Sequence, residues 1–184
     1  MSAAVAFHCP AAHPVAGSAF EGLFVRALPP EPAFHADLKA VGVDVEKLLP
    51  QYPVTVLLEA MAVARRHFFP RHTVQQADWQ LGRLFTQGFL NTRVGRAMGV
   101  MLPILGTARL LDRIERNFAK ARPDVRVTVQ VVGTTERLLL FEDVAATADF
   151  SGGIIEAGQE RARVQVKVTV EDRQATSYVL RVRW

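Results

Sequence analysis

The side chains with chemical potential in this chain are few and scattered. Phe7-His8-Cys9 and His13 bring a thiolate and two imidazoles within six residues. A metal site needs three or four such ligands on a rigid frame, and this Ala-, Pro- and His-rich opening reads as a loosely ordered tail, residues 1–18, so no metal site is assigned. His67 and His72 flank Phe68-Phe69-Pro70; five apart across a proline, they do not share a helix face and read as a surface pair at a helix end. Glu21, Asp37, Asp44, Glu46 and Glu59 show no spacing that would set two carboxylates about one bond. Ser151-Gly152-Gly153 has the composition of a phosphate-cradling turn at a helix N-terminus, but it lacks the Lys-Ser/Thr that completes such a loop, and plain turn chemistry accounts for it equally well. No nucleophile is paired with a base. The catalytic set is empty, which reads against an enzyme.

Glycines form the other conspicuous pattern. Wound as one helix, the stretch 79–122 would bring Gly88, Gly95, Gly99 and Gly106 within about 40° of one another. Glycine inside a helix costs roughly 1 kcal/mol against alanine, so a stripe of them implies close approach of a backbone or a partner. Pro103 and the Asn91-Thr92 junction divide the stretch, and the four glycines read better as close helix packing or a dimer contact than as one groove.

The elements that must carry these residues follow from punctuation and period. Phe20–Leu28 is a first structured segment, helix or strand. Pro29, Pro30 and Pro32 break the chain before a short helix from Ala33 to Val41, stopped by Gly42. Pro53 opens an amphipathic helix on Val56, Leu57, Ala60, Met61 and Ala64, ending by Pro70. Thr73 caps the next helix, to about Asn91; another begins near Thr92, and 107–121 forms a further one. After Pro123 the period falls to two: Val125, Val127 and Val129 alternate with polar residues, 137–144 follows after Gly133, and Val164–Val170 and Tyr178–Trp184 repeat the pattern across a helix over 146–162. The sum is a single α+β domain over 19–184: an N-terminal helical layer packed on a C-terminal four-stranded antiparallel sheet with one crossing helix.

Composition narrows the classes. At 184 residues the chain is long enough for one core, and 49% hydrophobic with 22% charged residues is ordinary for a globular domain. The longest apolar run, Met98–Leu105, is far short of the roughly 20 residues that span a bilayer. No basic and apolar leader opens the chain, and one cysteine permits no internal disulfide, so the expected compartment is the cytoplasm. The net charge of +4 is uneven: Met61–Arg126 holds twelve Lys or Arg against four acids. Arg83, Arg93, Arg96, Arg109 and Arg113 make this half a basic surface suited to phosphate, an anionic lipid face or an acidic protein; solvated faces of amphipathic helices are the other reading.

The runs FEGLFVRAL, LGRLFTQGFLNTRVGRAM and SYVLRVRW resemble an uncharacterised paralogous family of myxobacteria, a domain of unknown function, over nearly the whole chain. More distantly, the order of elements is similar to the fold shared by heme nitric oxide/oxygen binding domains, vinyl-reductase-type small-molecule-binding domains and TRAPP subunits. The resemblance implies a cavity between helical layer and sheet, filled in relatives by heme, an acyl chain or a small organic molecule. It also implies an axial histidine on the helix matching 107–121 and a Tyr-x-Ser-x-Arg motif near the second strand; this sequence has Asp112, Glu115 and Lys120 but no histidine in the first place and no tyrosine over 134–150. The expectation is therefore no cofactor, with heme set aside and an unknown apolar ligand retained. Trp79, Phe85, Phe89, Met98, Met101, Leu110 and Phe118 are the residues assigned to the cavity, a packed core being the alternative for the same stripe.

Function is expected to be regulatory, sensory or adaptor, by binding an apolar small molecule or a protein partner, as a homodimer in the manner implied by the relatives. The alternative is nucleic-acid or anionic-surface binding through the Arg-rich half. Nucleic acid is disfavoured because aromatic stacking platforms and a helix-turn-helix signature are missing.

Overall fold

The computed structural model describes residues 13–99 and 102–184, without the side chains of 98, 102–105, 120 and 121. Its first element is a strand, β1 (Pro14–Ala16), paired antiparallel with β2 (Gln51–Pro53) so that Val15 faces Tyr52. The chain then enters α1 (Gly17–Phe20) and widens into a π-helical segment, Glu21–Ala27, closed by the hydrogen bond from the Leu28 N–H to the Leu23 carbonyl at 3.2 Å. FEGLFVRAL is thus helical, and the order expected to begin at 19 already begins at Pro14, because β2 supplies the partner that a three-residue strand needs. Residues 1–12, including His8 and Cys9, lie outside the described residues.

Helix α2 (Pro32–Ala40) starts on a proline whose missing N–H is one the first turn leaves unbonded anyway. It stops at Gly42, whose φ of +91° lets Val43 N–H reach the Leu38 carbonyl at 2.9 Å and Gly42 N–H the Lys39 carbonyl at 3.1 Å. Helix α3 (Val54–Phe68) follows, then α4 (Val74–Phe89), where Thr73 and Gln76 form a reciprocal capping box. Next come α5 (Arg93–Gly99), α6 (Leu102–Leu111) and α7 (Ile114–Ala121). The separation expected at Gly106 is observed, at φ +71° and ψ 161° inside α6, but the single helix expected over 107–121 is interrupted at Asp112-Arg113 before α7.

Strands β3 (Arg126–Gly133), β4 (Glu136–Glu142), β5 (Lys167–Arg173) and β6 (Ser177–Arg183) form one antiparallel sheet in the order β3-β4-β6-β5, with α8 (Ala148–Arg161) crossing between β4 and β5. The α+β architecture read from the sequence is the observed one. Alternation puts Leu139 and Phe141 of β4 and Tyr178, Leu180 and Val182 of β6 on the buried face, where Phe141 stacks on Tyr178 at 4.6 Å and Phe118 of α7 meets Phe141 edge-on. A second cluster, centred on Phe20, Leu23, Phe24, Phe34, Leu57 and Met61, fills the helical layer. Each such side chain removed from water contributes roughly 1.5–3 kcal/mol. Between the two clusters stand α4 and α8, and their crossing positions the site.

Candidate functional site

The crossing of α4 and α8 is a backbone contact. A Cβ at Gly82 would land on the Phe150 carbonyl, one at Gly153 on the Trp79 carbonyl, and one at Gly152 in the Trp79 ring. Ser151-Gly152-Gly153 is therefore neither turn nor anion cradle; it is helix interior, glycine because Trp79 lies over it. Charge locks the same pair of helices, since the Trp79 indole N–H donates to Glu156 at 2.9 Å and Arg83 pairs with both Glu156 and Glu160. A second close approach sits at the other end of α4, where a Cβ on Gly88 would strike the Gly22 carbonyl of the π segment.

Where the helices diverge beyond this contact, a cavity of about 280 Å³ opens, near the lower end of the range for small-molecule sites. Phe85 and Phe89 of α4, Leu90 just beyond it, Leu110 of α6, Ile114 and Phe118 of α7, and Phe150, Ile154 and Ile155 of α8 make its walls apolar; Val15, Ala19, Leu23 and Leu57 close it from the helical layer. The polar side chains in the lining are Ser18, Thr86, Asn117, Arg122, Thr147, Ser151 and Gln159; Thr147 and Ser151 lie at the start of α8 and Gln159 near its end.

The groups around Arg122 and Ser151 are internally satisfied. Arg122 is held by Asp124 at 2.7 Å and Asp143 at 2.9 Å. Asp143 also accepts from the Thr147 hydroxyl at 2.6 Å and from the N–H groups of Ala145 and Thr147 at 3.0 Å each. Burial alone would raise the Asp143 carboxyl; the Arg122 guanidinium and these donors outweigh it and hold it below the usual carboxylate range. Ser151 and Tyr178 share a hydrogen bond of 2.8 Å. Burial first, then the Asp143 carboxylate, push the Tyr178 phenol far above its ordinary value, so it stays protonated. Gln159 differs: it is 4% exposed, its side-chain amide makes no hydrogen bond among the described residues, and its carbonyl oxygen is buried without a partner.

Of the residues assigned to a cavity from sequence, Phe85, Phe89, Leu110 and Phe118 line it. Trp79 does not; it is committed to the glycine contact and to Glu156. The side chain of Met98 and the whole of Met101 fall outside the described residues. Of the glycines, Gly88 makes a close interhelical contact, Gly95 of α5 abuts the Phe89 carbonyl at the end of α4, and among the described residues Gly99 meets only Leu90 at 3.4 Å and Gly106 has nothing within 4 Å. The tightest interhelical contacts involve Gly82, Gly152 and Gly153 as well, which the single-stripe pattern passes over because they belong to two helices far apart in sequence. Arg83 leaves the basic surface for its pairs with Glu156 and Glu160; Arg93, Arg96, Arg109 and Arg113 are exposed and make no ion pair among the described residues. His67 bonds Asp37 at 2.9 Å and His72 packs edge-on against Phe69, while His13 approaches Asp124 at 4.0 Å. Sequence reasoning missed Arg122, Asp143 and Gln159; a buried Arg with two Asp partners 2 and 21 residues away leaves no local spacing to read.

Compared with known proteins, the chain matches the family described as "Protein of unknown function (DUF2378)" over residues 14–184. No curated protein matches the sequence. Among solved structures it is similar to an H-NOX protein from S. oneidensis in the Fe(II)NO ligation state, with a TM-score of 0.72 at 12% identity over 91% of this chain and 97% of that one. It is similar as well to the unliganded Fe(II) H-NOX protein from K. algicida, with a TM-score of 0.68 at 11% identity over 91% and 95%. A third likeness, to a structure concerned with heme redox potential and protein-induced porphyrin distortion, has a TM-score of 0.70 at 14% identity over 91% and 97%.

These neighbours correct the expectation of no cofactor. That expectation set heme aside because the histidine and the tyrosine of the motif were missing, yet three solved structures sharing this fold over nine-tenths of the chain are H-NOX and heme proteins, so the absence of those side chains does not remove heme from the ligands to be considered. The apolar walls suit the faces of a macrocycle. For its iron, the described lining holds no His, Cys, Met or Tyr side chain, the usual axial ligands, and no axial ligand is assigned. Among the described residues no helix is long and apolar enough to cross a membrane. By its match over residues 14–184 the chain belongs to the DUF2378 family.

Proposed function

We propose that this DUF2378 domain is a sensory or adaptor module that takes an apolar small molecule into the cavity between α4, α7 and α8. The observation that carries the reading is the cavity itself: about 280 Å³ with phenylalanine, leucine and isoleucine walls, the composition of a binding site with a few orienting polar groups. Binding rather than turnover is supported by the lining, which among the described residues contains no Asp, Glu, His or Cys to serve as acid, base or activated nucleophile. An occupant bridging α4, α7 and α8 would bias how these helices pack, and a second copy of the chain or another cytoplasmic protein would read that change.

The test uses purified full-length protein. Solvent extraction followed by mass spectrometry looks for a copurifying apolar molecule, and N-phenyl-1-naphthylamine and hemin are titrated separately. The neutral dye is expected to brighten and saturate at one per chain, and Gly158→Phe, which places a ring where Gly158 borders the cavity with open space beside it, is expected to abolish the signal while the circular dichroism is retained. A saturating Soret band at one hemin per chain would name heme as the occupant. No extracted ligand together with no dye or hemin binding would overturn the reading. Sedimentation of the same samples measures whether the chain self-associates.

A second reading rests on Arg93, Arg96, Arg109 and Arg113, exposed and unpaired among the described residues. It gives the domain an anionic partner, nucleic acid or a charged surface. Duplex DNA binding that falls steeply and linearly in log salt would support it, and no binding at about 50 mM salt would end it.

A further inference from the structure

Two residues of the cavity lining are exposed, Val94 of α5 at 55% and Asn117 of α7. They mark its mouth. The charge around them is mostly of one sign: Arg93 and Arg96 stand beside Val94, Arg113 and Arg116 lie just ahead of Asn117, and Arg109 precedes Arg113 by one helical turn. All five arginines are exposed, and none has an ion pair among the described residues. Two acids accompany them, Glu115 and Asp112, and Asp112 is already drawn to Arg137 of β4 at 3.4 Å. The rim is therefore cationic.

Apolar groups are interleaved with these charges. At about 100° per residue, Arg96, Arg93, Ala97 and Val94 share one side of α5, and all four are exposed while Thr92 and Gly95 are buried. Between Arg96 and Arg109 the sequence holds its longest uncharged apolar run, residues 98–105. Arginines alternating with exposed aliphatic residues suit the boundary between lipid headgroups and acyl chains, where the cations meet anionic lipid and the apolar groups enter the bilayer. A nucleic acid is served less well, because α5 has no aromatic residue on which a base could stack.

We propose that α5 and the start of α7 dock on an anionic lipid surface, with the cavity mouth turned toward the bilayer. The proposal names the partner in the anionic-partner reading and rests on it. Full-length protein is sedimented with phosphatidylcholine vesicles, with and without about one third phosphatidylserine, at low and raised salt. Binding is expected only to the vesicles with phosphatidylserine, and it should weaken as salt rises. Arg93→Gln with Arg96→Gln, and Arg113→Gln with Arg116→Gln, should each weaken it about 25-fold, at about fivefold per arginine. Arg71→Gln with Arg161→Gln, which removes two exposed arginines outside α5 to α7, should change it little. Val94→Trp is expected to shift its indole emission to the blue on binding, beyond any shift of Trp79 and Trp184 in the native chain. Binding to duplex DNA but not to the phosphatidylserine vesicles would overturn the lipid partner and leave the anionic-partner reading intact. Binding to neither would remove both. An equal loss from the Arg71 and Arg161 pair, or an unshifted Val94→Trp on bound vesicles, would overturn the docking of this face. The native-protein comparison stands even if a variant fails to fold.

Discussion

The two halves of α8 do opposite things. In the first, Ala148–Gly153, every buried group is spoken for: Ser151 bonds Tyr178, Thr147 just ahead of it closes on Asp143, and Gly152 and Gly153 lie flush against Trp79. In the second, Ile154–Arg161, Glu156 and Glu160 still tie the helix to Arg83, but Gly158 faces open space and Gln159 has an amide without a partner among the described residues. One helix thus supplies a fixed contact and, a turn later, the wall of a cavity. The difference teaches where to look for stability and where for binding. Groups that are fully satisfied hold the fold, and the place where satisfaction lapses is where a ligand has something to gain.

The sharpest way to break the fixed half is to remove its charge balance. Arg122→Met leaves Asp124 and Asp143 buried beside each other without their shared cation, and a buried pair broken on one side typically costs about 3–5 kcal/mol. Urea unfolding should show that loss, and Asp143→Asn added to Arg122→Met should restore part of it, because the second change removes one uncompensated carboxylate. A loss below about 1 kcal/mol, the scale of an exposed pair, would mean that the network does not fix this end of α8.

A smaller effect belongs to the helix crossing. Gly82→Ala improves helix propensity by about 1 kcal/mol yet drives a methyl into the Phe150 carbonyl, which cannot yield as a side chain could. Overpacking of this kind costs about 1–3 kcal/mol, so net destabilisation is expected in thermal and urea melts. A stabilised variant would show that α4 and α8 are not in backbone contact.

How far the sequence displayed this architecture depends on the range of the interaction. The capping box at Thr73, the stop at Gly42 and the alternation through β3–β6 are local signals, and each lies within a few residues of its element. Phe85, Phe89, Leu110 and Phe118 could be named for the cavity because apolar residues at helical spacing must face inward; Trp79 shares that spacing, but its neighbour is Gly152, 73 positions away, and no window contains both. β1 was read as tail because three residues gain strand character only from β2, 37 positions downstream in the pairing of Val15 with Tyr52. The break at Gly106 was legible, and the second at Arg113 was not, since Asp112-Arg113 is compatible with helix. The buried polar groups were least visible of all, because Arg122, Asp143 and Gln159 read as ordinary surface residues until the fold encloses them.

The smallest effect is the most discriminating, because it opposes two glycines in one helix. Gly153 and Gly158 both lie within α8 and are both less favourable than alanine by about 0.5–1 kcal/mol of helix propensity. At Gly153 the Trp79 carbonyl occupies the place of a methyl; at Gly158 nothing lies within 4 Å. Gly158→Ala is therefore expected to raise stability by about 0.5–1 kcal/mol while its methyl narrows the cavity and weakens naphthylamine binding severalfold, and Gly153→Ala should do the reverse, lowering stability without entering the site. Opposite signs in paired denaturation curves would separate the helix's fixed half from its open one. If both substitutions destabilise, Gly158 also faces a packed neighbour, and the space assigned to a ligand there is already filled by the protein.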